Sequence, residues 1–426
     1  MRKRVGEKPT DTAAAFQDEA LFTQQQQEKL AVPLRVFGWV LTIFGVLSFA
    51  TMLMATIVLL VMVIFGIDYS SVMNTQFSTI LSVVSIFVSF SVAFMQVRLG
   101  RALRKSVRRK AGQWAYRLIF FEIASLVLSY MLAGPSVGTV QTLIELGVAI
   151  ALSVTIDPTL VAERHDKTQT ARDQDRAAAE KGMLGRDLSG KGYLRLDFFN
   201  LFWMFFICCI LGLILEIIWH MTVVDPGVYE DRAGLLVGPF SPIYGFGAVL
   251  VTLALNRLYK NPAVTFVVSA LVGGGFEWAT AVFMKMSFGV TAWDYSSYTI
   301  LGVPDPVAVF TGGCTSTMFL VIWGVLGLVW VKFFLPVMLK TVNMIPWKLR
   351  YALTSVVAVL MFANGLLTLG SLDCWFERSS GVQPSTPIEQ FYATYCNDDF
   401  MKNRFQSMTM NTRDSTRLDT AQKVAD

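Results

Sequence analysis

Chemically reactive side chains are scarce in this chain. It has two histidines and five cysteines in 426 residues, and only 16% of its residues are charged. No HExxH or CxxC pattern occurs, so zinc-hydrolase and dithiol chemistry lack their core groups. His165 lies in a polar stretch, and His220 closes an apolar run, where an interfacial side chain is expected rather than a ligand. Gly185 to Gly192 reads GRDLSGKG and satisfies GxxxxGK, yet Gly192 stands where a phosphate loop needs the Ser or Thr that reaches magnesium. No strand precedes it either. Neither a nucleotide site nor a cofactor or metal is expected of this chain, and catalysis is not its first reading.

Apolar side chains are present in excess. Hydrophobic residues make up 54% of the sequence, 32 of the residues are Phe, and mean hydropathy is +0.52, more than a soluble core uses. The fold class that follows is an all-α integral membrane protein, a polytopic bundle of about nine transmembrane helices, with eight to ten compatible with the pattern. A span needs about 20 apolar residues to cross roughly 30 Å of hydrocarbon. The runs that qualify are Leu34 to Ile67, Phe77 to Val97, Leu118 to Ala133, Val137 to Ile156, Phe198 to Met221, Leu235 to Asn256, Ala263 to Phe288, Val309 to Val331 and Tyr351 to Ser371. The first begins after some thirty polar residues and is too long for a cleaved leader, so it is expected to act as an anchor.

Lys and Arg set the expected orientation. Arg98 to Arg117 holds eight of them and Lys332 to Arg350 holds four, with no acid in either. The hairpins Asp68 to Asn74 and Gly134 to Ser136 hold none. By the positive-inside rule the N-terminus is cytoplasmic and the C-terminal tail lies on the outer face of a cell membrane. The basic run RLGRALRKSVRRKAGQW reads as a topological anchor against the lipid bilayer rather than as a nucleic-acid site. The expected organisation is a polar N-terminus (1–33), a four-helix membrane bundle (34–157), a charged linker (158–197), a five-helix membrane domain (198–371) and a polar tail (372–426).

Within the apolar runs, two acids stand out. Glu216 and Glu277 each follow a glycine by four residues, in GLILE (Gly212 to Glu216) and GGGFE (Gly273 to Glu277), so glycine and acid share a helix face. An ionisable group in a span costs roughly 2.5–3.5 kcal/mol even on the lenient insertion scale, so each is expected to face a helix contact or a cleft. Between them lies RAGLLVGPFSPIYGFG (Arg232 to Gly247), where glycines and prolines crowd a span entrance and predict a broken or re-entrant helix start. Asp294 and Tyr295 come from a loop on the same side. The expected site is a convergent, outward-facing cluster of Glu216, Arg232, Tyr244, Glu277, Trp293, Asp294 and Tyr295, serving either as an ion-pair network that fixes register or as a substrate or proton site.

Cys208, Cys209 and Cys314 read as small apolar side chains. Cys374 and Cys396 could close a disulfide worth about 3 kcal/mol if the tail is outside, and would stay reduced if it is inside. Trp203, Trp219, Trp330 and Trp347 read as interface anchors.

The succession GLILE, RAGLLVGPFSPIYGFG, GGGFEW and AWDYS (Ala292 to Ser296) resembles the CmpB family of type IV ABC-transporter membrane proteins over roughly residues 198–405. Four places depart from that pattern. Asp231, Arg232 and Ala233 stand for Asn-Arg-Gly, Ser241 for Cys, and Ala292 for a second aromatic, while Phe405 to Met408 alters a Phe-Pro-Asn-Met tail motif. The resemblance implies a permease-like transport component that works with a separate ATPase subunit. Two alternatives stand beside it: a membrane enzyme acting on a lipid or envelope precursor, and a non-catalytic assembly or sensing protein.

Overall fold

The structure is a computed structural model that describes residues 30–65, 76–156, 198–342, 344–345 and 347–417. The expected polar N-terminus before residue 30, the Asp68 to Asn74 hairpin, and the linker with His165 and GRDLSGKG lie outside the described residues. The chain forms two compact units, residues 1–172 and 173–426. It is an all-α polytopic membrane protein. Among the described residues, seven helices are long and apolar enough to cross a bilayer, and two shorter apolar helices accompany them.

In the first unit, α1 (Val32–Ile64), α2 (Gln76–Arg104), α3 (Arg108–Ala133) and α4 (Val137–Ile156) pack each on the next in chain order. Their apolar residues run around the whole circumference, as expected of helices that meet lipid on one side and each other on the other. The inner faces meet in a core that includes Leu41, Val92, Leu99, Leu103, Leu118, Leu152 and Ile156, while Val36, Ile43, Leu47 and Phe87 face outward. Gly38 of α1 and Gly100 of α2 lie against one another so closely that a methyl on either would strike the partner's carbonyl. This is small-residue packing of the kind bilayers favour, because lipid gives helices no hydrophobic reason to associate. At the basic end, Arg98 and Arg117 stack on Trp114 and Arg104 on Trp39.

The second unit holds α5 (Phe198–Trp219, prolonged by a π turn His220–Val224), α6 (Pro242–Leu255) and α7 (Pro262–Phe288). After a loop containing the two-residue strands β1 (Val290–Thr291), β2 (Thr299–Ile300) and β3 (Val303–Pro304) come α8 (Pro306–Thr311) and α9 (Thr317–Val329). A second π turn (Trp330–Phe334) leads into α10 (Leu335–Val342), which α11 (Trp347–Ser379) follows. The tail is folded: α12 (Pro387–Tyr395) has a capping box of Thr386 with Glu389, α13 (Asp398–Arg404) follows, and β4 (Thr409–Met410) pairs antiparallel with β1. That pairing places the tail at the same end of the unit as the β1–α9 loop.

Two of the expected spans are broken, for one reason. The run from Leu235 becomes helical only at Pro242, and the run from Val309 is interrupted at Gly312 and Gly313, both at positive φ, before α9 begins at Thr317. Glycines that can take left-handed backbone, and prolines that lack an N–H, stop a helix that hydropathy alone would continue. With 14 residues, α6 is about 21 Å long, short of the hydrocarbon thickness. Its start lies deep: the Ser241 N–H donates to the carbonyl of Cys209 at 2.9 Å, and Cys209 is midway along the Phe199–Val224 span.

The non-helical stretch before α6 is held by side chains. The Leu236 N–H donates to Thr368 Oγ1 (2.8 Å) and the Val237 N–H to Asn364 Oδ1 (3.1 Å), while Asn364 Nδ2 donates to the Val237 carbonyl (2.7 Å). Arg404 donates to the carbonyls of Leu235 (2.6 Å) and Gly238 (2.5 Å) and pairs with Asp231 (2.8 Å). Trp203 and Trp330 are not interface anchors: their indole N–H groups donate to Thr354 (2.9 Å) and Thr252 (2.8 Å) inside the bundle. Arg404→Ala is therefore expected to leave the Leu235 carbonyl without its partner and to strip the Gly238 carbonyl and the Asp231 carboxylate of their charged donor, destabilising the unit by about 2–4 kcal/mol, seen as a lower unfolding temperature in detergent.

Candidate functional site

Glu216 lies in the last turns of α5, and the loop that follows brings Arg232 back onto it, with Nε 2.8 Å from Glu216 Oε1. Arg232 Nη1 also pairs with Glu230, whose Oε2 lies 3.2 Å from His220 Nε2 in the π turn. Burial works against the Arg232 charge, but its hydrogen bond and attraction to Glu216, with Glu230 beside it, more than offset this and hold the guanidinium protonated. Tyr244, two residues into α6, lays its ring on Gly212, where a Cβ would overlap it, and its hydroxyl is within hydrogen-bonding reach of Glu216.

Around Glu277 the pattern repeats with different residues. Trp323 of α9 lies flat on Gly273, again where a methyl would overlap, and its Nε1–H reaches Glu277 Oε2 at 3.3 Å. The Thr315 hydroxyl donates to the same oxygen (2.9 Å), and the Tyr295 hydroxyl donates to Oε1 (3.0 Å). Glu277 is 5% exposed. Three neutral donors meet it, with no cation among them. Burial against Phe319, together with the neighbouring Glu277, pushes the Tyr295 phenol well above its ordinary value, so it stays a donor. The helix contact expected beside each acid is thus made by an aromatic ring, which the glycine one turn earlier admits. Tyr244 is in electrostatic reach of both Glu277 and Tyr295, which sets the two centres side by side through that ring.

Trp293 and Asp294 stand apart from these networks. Trp293 Nε1 donates to the Cys314 carbonyl (3.0 Å), and the exposed Asp294 accepts from the Ser296 N–H (2.8 Å). Both line an open cavity of about 360 Å³ with Lys285, Cys314, Asn411 and Asp414. Lys285 lies 3.8 Å from Asp414, leaving Asp294 as the uncompensated charge on that wall.

Several residues of consequence escaped the sequence reading. Asp305, 1% exposed, accepts from the N–H groups of Val307 (2.9 Å), Ala308 (3.0 Å) and Thr317 (3.0 Å) and from the Thr317 hydroxyl (2.9 Å). It therefore ties the starts of α8 and α9 together. Burial alone would raise its carboxyl, but these donors bring it below the usual carboxylate value. The Asp-Pro pair preceding a short apolar run is the capping signal that could have found it. Thr315 and Trp323 carried no local signal. In the tail, the wholly buried Arg417 pairs with Asp373, and its Nη2 lies 3.9 Å from Glu377 Oε1. Among the described residues, Asp373, Cys374 and Glu377 form the one set close enough for a metal ion, within 4.8 Å of one another, and the Arg417 guanidinium already supplies the positive charge there. All five cysteines are free thiols, and burial raises the Cys396 thiol above its ordinary value.

Residues 203–369 match the family described as "Putative ABC-transporter type IV" (CmpB), in agreement with the motifs. No curated protein and no solved structure matches the chain. The match and the membrane-crossing helices together support a membrane transporter component.

The glycine–aromatic packing gives a matched pair of tests. Gly273→Ala is expected to destabilise the unit by about 1–3 kcal/mol because the methyl overlaps Trp323, whereas Gly275→Ala, with open space around it, should leave the unfolding temperature unchanged. Asp305 gives a pH test. A carboxylate held below its unfolded value stabilises the fold above about pH 4 and loses that contribution as the pH falls. Asp305→Asn should be less stable than wild type at neutral pH, with the gap narrowing in acid.

Proposed function

We propose that this chain is the permease-like component of an ABC-type transporter, with the path for its cargo formed in the second unit. The observation that carries the reading is the broken span. The segment Arg232 to Ser241 crosses to mid-depth without helical hydrogen bonds and ends in the half-length helix α6, between an ion-paired Glu216 and a Glu277 met by neutral donors. Irregular backbone at that depth is tolerated where protein buries it or where it lines a cavity, and discontinuous helices with their termini near the midplane are how many transporters build a substrate site. Of the two acids, Glu277 is the stronger candidate for contact with cargo or a proton, because Arg232 already neutralises Glu216. Trp293 and Asp294, lining the open cavity, suit an entrance to that path.

Drive comes from a separate ATPase subunit, in keeping with the departure of GRDLSGKG from a phosphate-binding loop. The docking candidate on the cytoplasmic side of a cell membrane is the part of the basic Lys332 to Arg350 segment beyond Leu339, where the helical span Thr317–Leu339 ends, with the tail and the Arg232 loop on the outer face. The positive-inside bias supports this orientation. In this scheme residues 198–371, the five-helix membrane domain of the five-part division, are the transport domain.

Affinity purification of the full chain from its own membrane in mild detergent should recover an ATPase subunit in stoichiometric amount. A preparation in which none accompanies it would remove the ABC reading. In a transport or complementation assay, Glu277→Gln should abolish function while the protein still inserts and unfolds at a similar temperature. Wild-type activity in that variant would show that Glu277 serves packing alone.

A further inference from the structure

The first unit contains a second pair of intramembrane acids, outside the segment that matches the family. Glu122 of α3 is 1% exposed and Gln96 of α2 is 2% exposed, and both face Glu145 of α4. The carboxyls of Glu122 and Glu145 are in hydrogen-bond contact. Gln96 Nε2 donates to Glu145 Oε2 at 2.9 Å, and Gln141 Nε2 donates to Glu145 Oε1 at 2.8 Å. Two oxygens in this group, Glu122 Oε1 and Gln96 Oε1, are buried without any partner.

Among the described residues, no basic side chain pairs with these carboxyls. Glu145 is the only ionisable residue of α4. On α2 and α3, Arg98 and Arg117 stack on Trp114, Arg104 stacks on Trp39 of α1, and Arg101 is exposed. Lys110 is exposed at the start of α3, Tyr116 is 48% exposed, and Arg35 belongs to the first turn of α1. Two carboxylates in contact cannot both keep their charge in a medium of low dielectric; something positive must lie between them. Oxygen donors alone, from carboxylates and an amide, select a hard cation, and the two orphaned oxygens are the ligands left for it.

We propose that Glu122, Glu145 and Gln96 form a binding site for a small hard monovalent cation in the membrane interior of the first unit. The same oxygens accept either a sodium ion or a proton, and the two compete for one place. At alkaline pH without sodium the pair is left bare and the bundle is destabilised. Acid or sodium restores it.

The test uses the purified full chain in detergent, with unfolding temperature read in sodium, potassium or choline chloride at equal ionic strength, at about pH 8 and about pH 5.5. Expected is a saturable stabilisation by sodium over choline at the higher pH that shrinks at the lower pH, and its loss in Glu122→Gln and in Glu145→Gln. If acid stabilises and sodium does not, and the Gln variants abolish the acid effect, the occupant is the proton. An unfolding temperature indifferent to both cation and pH would overturn the site, as would cation and acid effects that persist in the variants. Should Glu122→Gln fail to fold, Glu145→Gln, at the half-buried member of the pair, carries the test, with binding of radiolabelled sodium as the direct readout.

Discussion

Backbone that leaves a helix inside hydrocarbon must find other partners for its N–H and C=O groups, because no water is there to take them. The second unit is organised around one such stretch. Thr368 and Asn364 of α11, Cys209 of α5 and Arg404 of the tail each satisfy part of the segment from Leu235 to Ser241. Without these groups α6 could not begin where it does, and Tyr244 would not reach Glu216. The position of that tyrosine between the two acidic centres is a consequence of backbone accounting.

The helices were legible because hydropathy accumulates over some twenty residues, and no single side chain decides it. The breaks were legible in kind: glycines and prolines around Gly238 and Pro242 marked an irregular entrance. Their extent was not, since residues 235 to 241 are as apolar as a span and the hydrogen-bond partners that hold them in their irregular course lie far away in sequence. The same limit applies at Gly312 and Gly313, where hydropathy ran straight through.

The candidate residues fared unevenly for a related reason. The GxxxE spacing correctly aligned glycine with acid, because helical periodicity is local information. What would lie upon each glycine was not local. Trp323 and Thr315 reach Glu277 from beyond a long loop, and Tyr244 reaches Glu216 from across a break. Arg404 and Arg417 belong to a tail that composition described as polar, whereas Phe405 and Arg417 are among the most buried residues of their kind. Trp293 and Asp294 were grouped with the acids by loop membership, and the backbone turn at Ser296 carries them instead to the cavity wall beside Lys285.

The grip of Arg404 on Leu235 spans 169 residues of chain. A ribosome that has delivered α5, α6 and α7 to the bilayer has not yet made the arginine that closes the segment between the first two. During synthesis the carbonyl of Leu235 therefore waits for its partner until the last helix has been inserted and the tail has folded back. Completion of this unit is consequently a late event on the protein's timeline, and a chain cut short before residue 404 would present an unfinished span to the quality-control machinery of the membrane.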